Sequence, residues 1–214
     1  MQRTERLRTE ERPVNGFDRV RLNGMGELTI TQGDDEGLTI EAEESILPLI
    51  ETEVRDERLT IGYRRQIGGI RPTLPIQFAL RLRRLSVLVI SGSGGVRSHS
   101  IRAERLEVLI TGSGSVHLDE LMAGWLGTTI SGSGSFQVAG EAAEHRVEIS
   151  GSGGLHAPNL RTHHAEVTVS GSGAATVDVA EKLAVVISGS GGVAYSGNAD
   201  VSQRTSGSGR VRAK

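Results

Sequence analysis

The sequence predicts an all-β fold: a right-handed, single-stranded parallel β-helix (a solenoid) of about seven coils of 18–20 residues, closed by an N-terminal β cap. Two observations carry this. First, Ser-Gly-Ser-Gly or Thr-Gly-Ser-Gly recurs from Ser91, Thr111, Ser131, Ser150, Ser170, Ser188 and Ser206, at spacings of 20, 20, 19, 20, 18 and 18 residues. Second, every copy lies in the same alternating apolar frame. Around the second copy, Leu106, Val108, Ile110, Gly112, Gly114, Val116 and Leu118 fall on one face. Around the third, Ile130, Gly132, Gly134, Phe136 and Val138 do the same, and around the sixth Val185, Ile187, Gly189, Gly191 and Val193. Period 2 means extended strand, and a repeat this short suits one coil of a β-helix better than a helical pair or a propeller blade. A flexible Gly/Ser linker would lack the apolar frame. Stacked about 4.8 Å apart, seven coils make a rod roughly 34 Å long.

The elements follow in order. Residues 1–13 form a charged N-terminal tail. Residues 14–85 read as the β cap that a solenoid needs over its open apolar cross-section. Within the cap, Val20, Leu22, Gly24, Gly26, Leu28 and Ile30 make a diverged first coil, with Asn23 and Met25 where Ser stands elsewhere. Thr52 and Val54 face Leu59, Ile61 and Tyr63 across Arg55-Asp56-Glu57-Arg58, the pattern of a hairpin. Gly68-Gly69 and Pro72 mark a loop, and Ile76, Phe78, Leu80 and Leu82 one more strand. Residues 86–214 are the repeats, ending in a polar cap where Gln203 and Thr205 replace the inward aliphatics and Arg210, Arg212 and Lys214 follow.

Fourteen glycines are read as structural and inward: Gly92, Gly94, Gly112, Gly114, Gly132, Gly134, Gly151, Gly153, Gly171, Gly173, Gly189, Gly191, Gly207 and Gly209. Without a Cβ, the chain can turn a narrow coil against the layers above and below. The alternating Ser and Thr residues then make two outward hydroxyl ladders, one through Ser131 and one through Ser133.

Composition excludes several functions. Lys and Arg total 24 against 26 Asp and Glu, a net charge of −2, which gives no electrostatic case for nucleic acid. There is no Cys, so disulfides, thiolate zinc sites and cysteine nucleophiles are ruled out. No apolar run reaches the roughly 18 to 20 residues of a membrane span. Gly92-Ser93-Gly94-Gly95 lacks the Lys and following helix of a phosphate loop. Asp119 and Glu120 follow one coil alone, unlike a calcium β-roll.

His99, His117, His145, His156, His163 and His164 read as surface or bend histidines. His117 and His156 share a column with Gln137 between them, too far apart for a common metal ion. Asp119, Glu120, Glu141, Glu144, Glu148, Asp178 and Glu181 are scattered, and short coils offer no loops to wall a glycosidase groove. No catalytic residue, cofactor or metal is expected. Arg81, Arg83, Arg84, Arg97, Arg102 and Arg105 read as a solvated face that discourages edge pairing, with contact to an acidic envelope polymer as the functional alternative. Trp125, in the bend Met122-Ala123-Gly124-Trp125-Leu126, is expected to pack against the next coil rather than to offer a stacking surface.

Gly-Phe-Asp-Arg-Val at 16–20, Leu-Thr-Ile-Thr-Gln-Gly at 28–33, the hairpin, Leu-Arg-Arg-Leu at 82–85 and the serial Ile-Ser-Gly-Ser-Gly coils together resemble the bacterial autotransporter-adhesin head domain, the head GIN domain family. The resemblance spans roughly residues 14–212 and implies a β-helical protein that is secreted, periplasmic or lipid-anchored. It brings no catalytic motif. It implies a cell-envelope or extracellular location, with the cytoplasm expected if no signal peptide precedes Met1. The function expected is a non-catalytic, adhesin-like or scaffolding module that meets a surface glycan or envelope polymer. A self-assembling structural protein is the first alternative and a carbohydrate-active enzyme the second. A monomer or small homo-oligomer is expected, not a filament.

Overall fold

The computed structural model of the protein describes residues 6–64 and 72–214. The Gly68-Gly69 loop lies outside them. Five long strands form the body: β9 (Gly95–Gly112), β10 (Ser115–Gly132), β11 (Ser135–Gly151), β12 (Gly154–Gly171) and β13 (Ala174–Gly189). Numbering in chain order, the strands before these are β1 to β8, and those after are β14 (Gly192–Ser196), β15 (Asp200–Gly207) and β16 (Arg210–Ala213). Each long strand bends within its length, so its first part stacks on one face of the rod and its last part on another. Neighbours pair in parallel throughout, as in Val116↔Phe136, Leu126↔His145 and Ile130↔Ile149 between β10 and β11. This is the parallel β-solenoid that the alternation predicts. The seven corners enclose about six turns, so the count of seven coils is one too many: seven markers bound six intervals.

Alternation sets the core. On β10, Val116, Leu118, Leu121, Leu126, Thr128 and Ile130 point inward and are at most 2% exposed, while the other residues between them face out or line the bends. Stacking repeats each layer upon the next, so Leu106 and Leu126, or Ile110, Ile130 and Ile149, form continuous buried columns. Their burial is the main favourable contribution to the rod, and the inter-coil ladder satisfies the backbone.

The N-terminal end is built out of sequence order. Strands β2 (Arg19–Gly24) and β3 (Glu27–Gln32) are the diverged coil, and their corner stacks on the first Ser-Gly-Ser-Gly corner through Gly24↔Gly92. Strand β8 (Val87–Gly92) lies on one side of β2. On the other side lies β6 (Arg58–Tyr63), and beside β3 lies β7 (Gln77–Leu82), both parallel. The first coil in the chain is thus an interior coil of the rod. Beyond it the direction reverses. Strand β5 (Ile50–Arg55) is antiparallel to β6, and β4 (Gly37–Glu43) is antiparallel to β7. The hairpin turn falls on Asp56 and Glu57, at φ of 50° and 59°, the twisted two-residue type that suits a tight hairpin. Glu43, buried, accepts hydrogen bonds from the Thr73 hydroxyl (2.8 Å) and the Thr73 and Leu74 amides (2.5 Å each), holding the segment that leads into β7. These bonds, the Thr73 hydroxyl first, keep its carboxyl below the ordinary range.

Within the charged N-terminal segment, β1 (Leu7–Arg12) is a strand, antiparallel to β4 from Leu7↔Glu43 to Arg12↔Leu38. No apolar alternation announces it. Backbone pairing holds it, together with Arg12, whose guanidinium donates to the carbonyls of Ile50 (2.9 Å) and Leu47 (3.2 Å). Its exposed charges discourage further pairing at that edge.

At the other end, β15 pairs with β13 and β16 with β14. Gln203 and Thr205 stand over Val185 and Ile187, and both are exposed. Deleting residues 201–214 uncovers Leu183, Val185, Ile187 and Val193, each 1% exposed in the intact rod. The truncated chain is expected to bind a hydrophobic dye and elute as aggregates on size exclusion. An unchanged monodisperse peak would overturn the capping role.

Candidate functional site

The corners come first because they fix every outward face. The fourteen glycines fall into two geometric classes, and only the second of each pair is inward. The first sits at the corner: Gly132 has φ of +118°, and a Cβ there would stand 2.6 Å from the Gly112 carbonyl oxygen. That oxygen already accepts the Ser133 amide at 2.9 Å. The second, such as Gly134, is buried, and a Cβ there would meet Ile110 and stand 2.7 Å from the Gly114 oxygen. Ser131 and Ser133, like their equivalents along the corner, face solvent.

One outward face carries a feature that breaks the repeat. On β9 it presents Arg105, Glu107 and Leu109, on β10 Trp125, Gly127 and Thr129, and on β11 Glu144, Arg146 and Glu148, each set in register with the next. Trp125 is not packed beneath the following coil. It lies half-buried on the strand surface, where the bare Gly127 makes room: a Cβ at 127 would collide with the indole. The Arg105 guanidinium sits 3.5 Å from the ring centroid. Arg105 Nη2 also donates to Glu107 Oε1 at 2.9 Å, and Arg146 Nε donates to Glu148 Oε1 at 3.2 Å. Exposed ion pairs add little stability, and an exposed cation–π contact about 0.5–1 kcal/mol. Their effect is to fix planar side chains in place around an indole. Shallow depressions open on both sides of it, one over Gly127 and Thr129, the other toward His164 and Glu166. The bend that holds Trp125 hides its direction from a reading of alternation. The signal present in the sequence is the Trp-x-Gly pair, since Gly127 leaves space on the outward side.

The titratable clusters lie elsewhere. Asp119 accepts from His99 (3.3 Å) and His117 (2.6 Å), and these imidazoles, His99 first, hold its carboxyl below the usual range. Glu181 accepts from His163 at 2.8 Å, with His164 at 3.7 Å, and its carboxyl is likewise lowered, chiefly by His163. Among the described residues no group of three or more His, Asp or Glu is arranged to hold a metal ion. His117, Gln137 and His156 do form one column. His145 departs from the surface reading. It is inward, 2% exposed, between Leu126 and Ala165, with Nε2 3.0 Å from Thr128 Oγ1 and Nδ1 lacking a protein partner. Burial pushes its pKa down to about 3.

The arginines that stand close in sequence take several partners. The Arg83 guanidinium donates to the Asp34 carbonyl (2.7 Å), Arg97 faces Glu27 (3.8 Å) and Arg105 covers Trp125. Gln32 joins Arg83 to Arg102 through their backbones, donating to both carbonyls (3.0 Å each) and accepting the Arg102 amide (2.7 Å).

The family described as Putative auto-transporter adhesin, head GIN domain, matches residues 16–199. No curated protein matches the chain. Among solved structures, a putative adhesin from Bacteroides fragilis is similar at a TM-score of 0.94 and 22% identity, over 99% of this chain and 98% of the other. A putative lipid binding protein from Parabacteroides distasonis gives 0.80 at 23% identity, over 97% and 96%. A putative adhesin from Parabacteroides merdae gives 0.78 at 19% identity, over 99% and 97%. At these identities the likeness is one of fold.

Proposed function

The chain belongs to the putative auto-transporter adhesin, head GIN domain family, and from that premise we propose that it is a non-catalytic, adhesin-like binding rod of the bacterial cell envelope. The observation that carries the reading is the half-buried Trp125, set among fixed planar side chains on a rigid strand face. A parallel ladder loses little conformational entropy when a partner lies along it, so modest contacts become usable affinity. The fold supplies stiffness and the face supplies recognition, as suits a surface or envelope polymer.

Purified protein is expected to bind isolated bacterial envelope material saturably in a sedimentation assay, while light scattering shows a monomer or small closed oligomer. Absence of saturable binding to any envelope fraction would overturn the binding role. Open-ended, concentration-dependent growth would point to the self-assembling alternative.

A further inference from the structure

The geometry points to the Trp125 face as a binding site for an uncharged pyranose of a polysaccharide, an inference that rests on the binding-rod reading and names its site. Glu107 and Arg146 belong to the rungs on either side of Gly127, two rungs or roughly 10 Å apart. Between them lies the depression over Gly127 and Thr129, with the tip of the indole reaching over Gly127 at one end. Arg105 covers one face of the indole, so the indole offers the depression its remaining apolar edge, against which the C–H groups of a pyranose ring can pack. The planar Arg and Glu groups offer paired donors and acceptors for vicinal hydroxyls, and their mutual hydrogen bonds hold them in position beforehand.

Charge decides between neutral and acidic sugars. Arg105 is matched by Glu107 and Arg146 by Glu148, so the strip has no net positive charge. A uronate or phosphate would meet the two glutamates without a free cation to offset them.

Trp125 is the chain's one tryptophan, so emission excited at 295 nm reports this site alone. The probes are neutral oligosaccharides (glucan, mannan and galactan hexamers) and oligogalacturonate, titrated into the full chain. A neutral oligosaccharide is expected to change the emission saturably. By calorimetry, Trp125→Ala is expected to weaken binding about tenfold or more, and Trp125→Phe to restore most of it, with unchanged circular dichroism in both. Salt-sensitive binding of the uronate alone, indifferent to Trp125→Ala, would overturn the inference and leave the binding rod standing. So would saturable binding to envelope material that no neutral oligosaccharide competes and Trp125→Ala does not reduce. Failure of both oligosaccharides and envelope material to bind would remove inference and reading together.

Discussion

Gly132→Val is expected to lower the stability of the rod by about 3 kcal/mol or more, against well under about 1 kcal/mol for its neighbour Ser133→Ala. Two costs add at Gly132. Its φ of +118° lies where a β-branched side chain is strained. Its Cβ would also press to 2.6 Å on the Gly112 oxygen, and that oxygen cannot retreat without giving up the Ser133 amide. Each corner sits on the one before, so the shift passes to Gly151, where a Cβ stands in the same relation to the Gly132 oxygen. The Ser133 hydroxyl faces solvent, and water replaces what it loses. Urea melts of the two variants test this directly. Coincident midpoints would mean that the corners tolerate side chains and that the glycines serve some other end.

The second large effect is with pH. His145 is neutral in the folded rod, its pKa pushed down to about 3 by burial, whereas the unfolded residue titrates near the ordinary value of about 6.5. The unfolded chain therefore binds the extra proton as pH falls through 6.5, and the folded chain does not until about 3. Stability is full above about 6.5 and declines below it, by about 2 kcal/mol between pH 7.5 and pH 5 and by up to about 5 kcal/mol near pH 3. Glu43, Asp119 and Glu181, whose carboxyls are lowered, also lose stability on acidification. They do so through their unfolded values near 4.5, 3.8 and 4.5, below the window from pH 6.5 to 5 in which His145 acts. His145→Leu should flatten the slope across that window, so that the variant loses far less stability between pH 7.5 and pH 5 than the parent protein. An undiminished slope in the variant would place the titrating group elsewhere.

Much of this architecture is written in local pattern. The corner tetrapeptides and their aliphatic frame specify a parallel stack because each coil repeats the same inward positions. Asp56-Glu57 between two alternating segments specifies a hairpin because the turn is short and the strands adjoin it. What escapes the pattern is long-range. Nothing near Val20 or Leu22 reveals that β2 will be covered on both sides, by β6 and β8, because pairing across 39 and 68 residues leaves no periodic trace. His145 occupies an inward position whose residue type suggests the surface, and only the smaller Ala165 above it hints at space for the ring. Trp125 illustrates the same limit at the candidate site: a bend scrambles the alternation that elsewhere tells inside from outside. The first glycine of each corner looks inward by count, but the corner turns there, so the position faces neither way.

The interior placement of β2 makes the rod mechanically polar. A pull on the C-terminus meets β16 and β15 first, each held along one edge by a single neighbour. Coils can then peel away one at a time, every 18–20 residues releasing roughly 60 Å of slack chain. A pull from the N-terminus first strips β1 from β4 and then reaches a strand clamped between β6 and β8, so two ladders must yield together. Load applied along the rod is therefore released gradually from one end and resisted at the other, so a molecule holding a moving surface lengthens before its N-terminal coils give way.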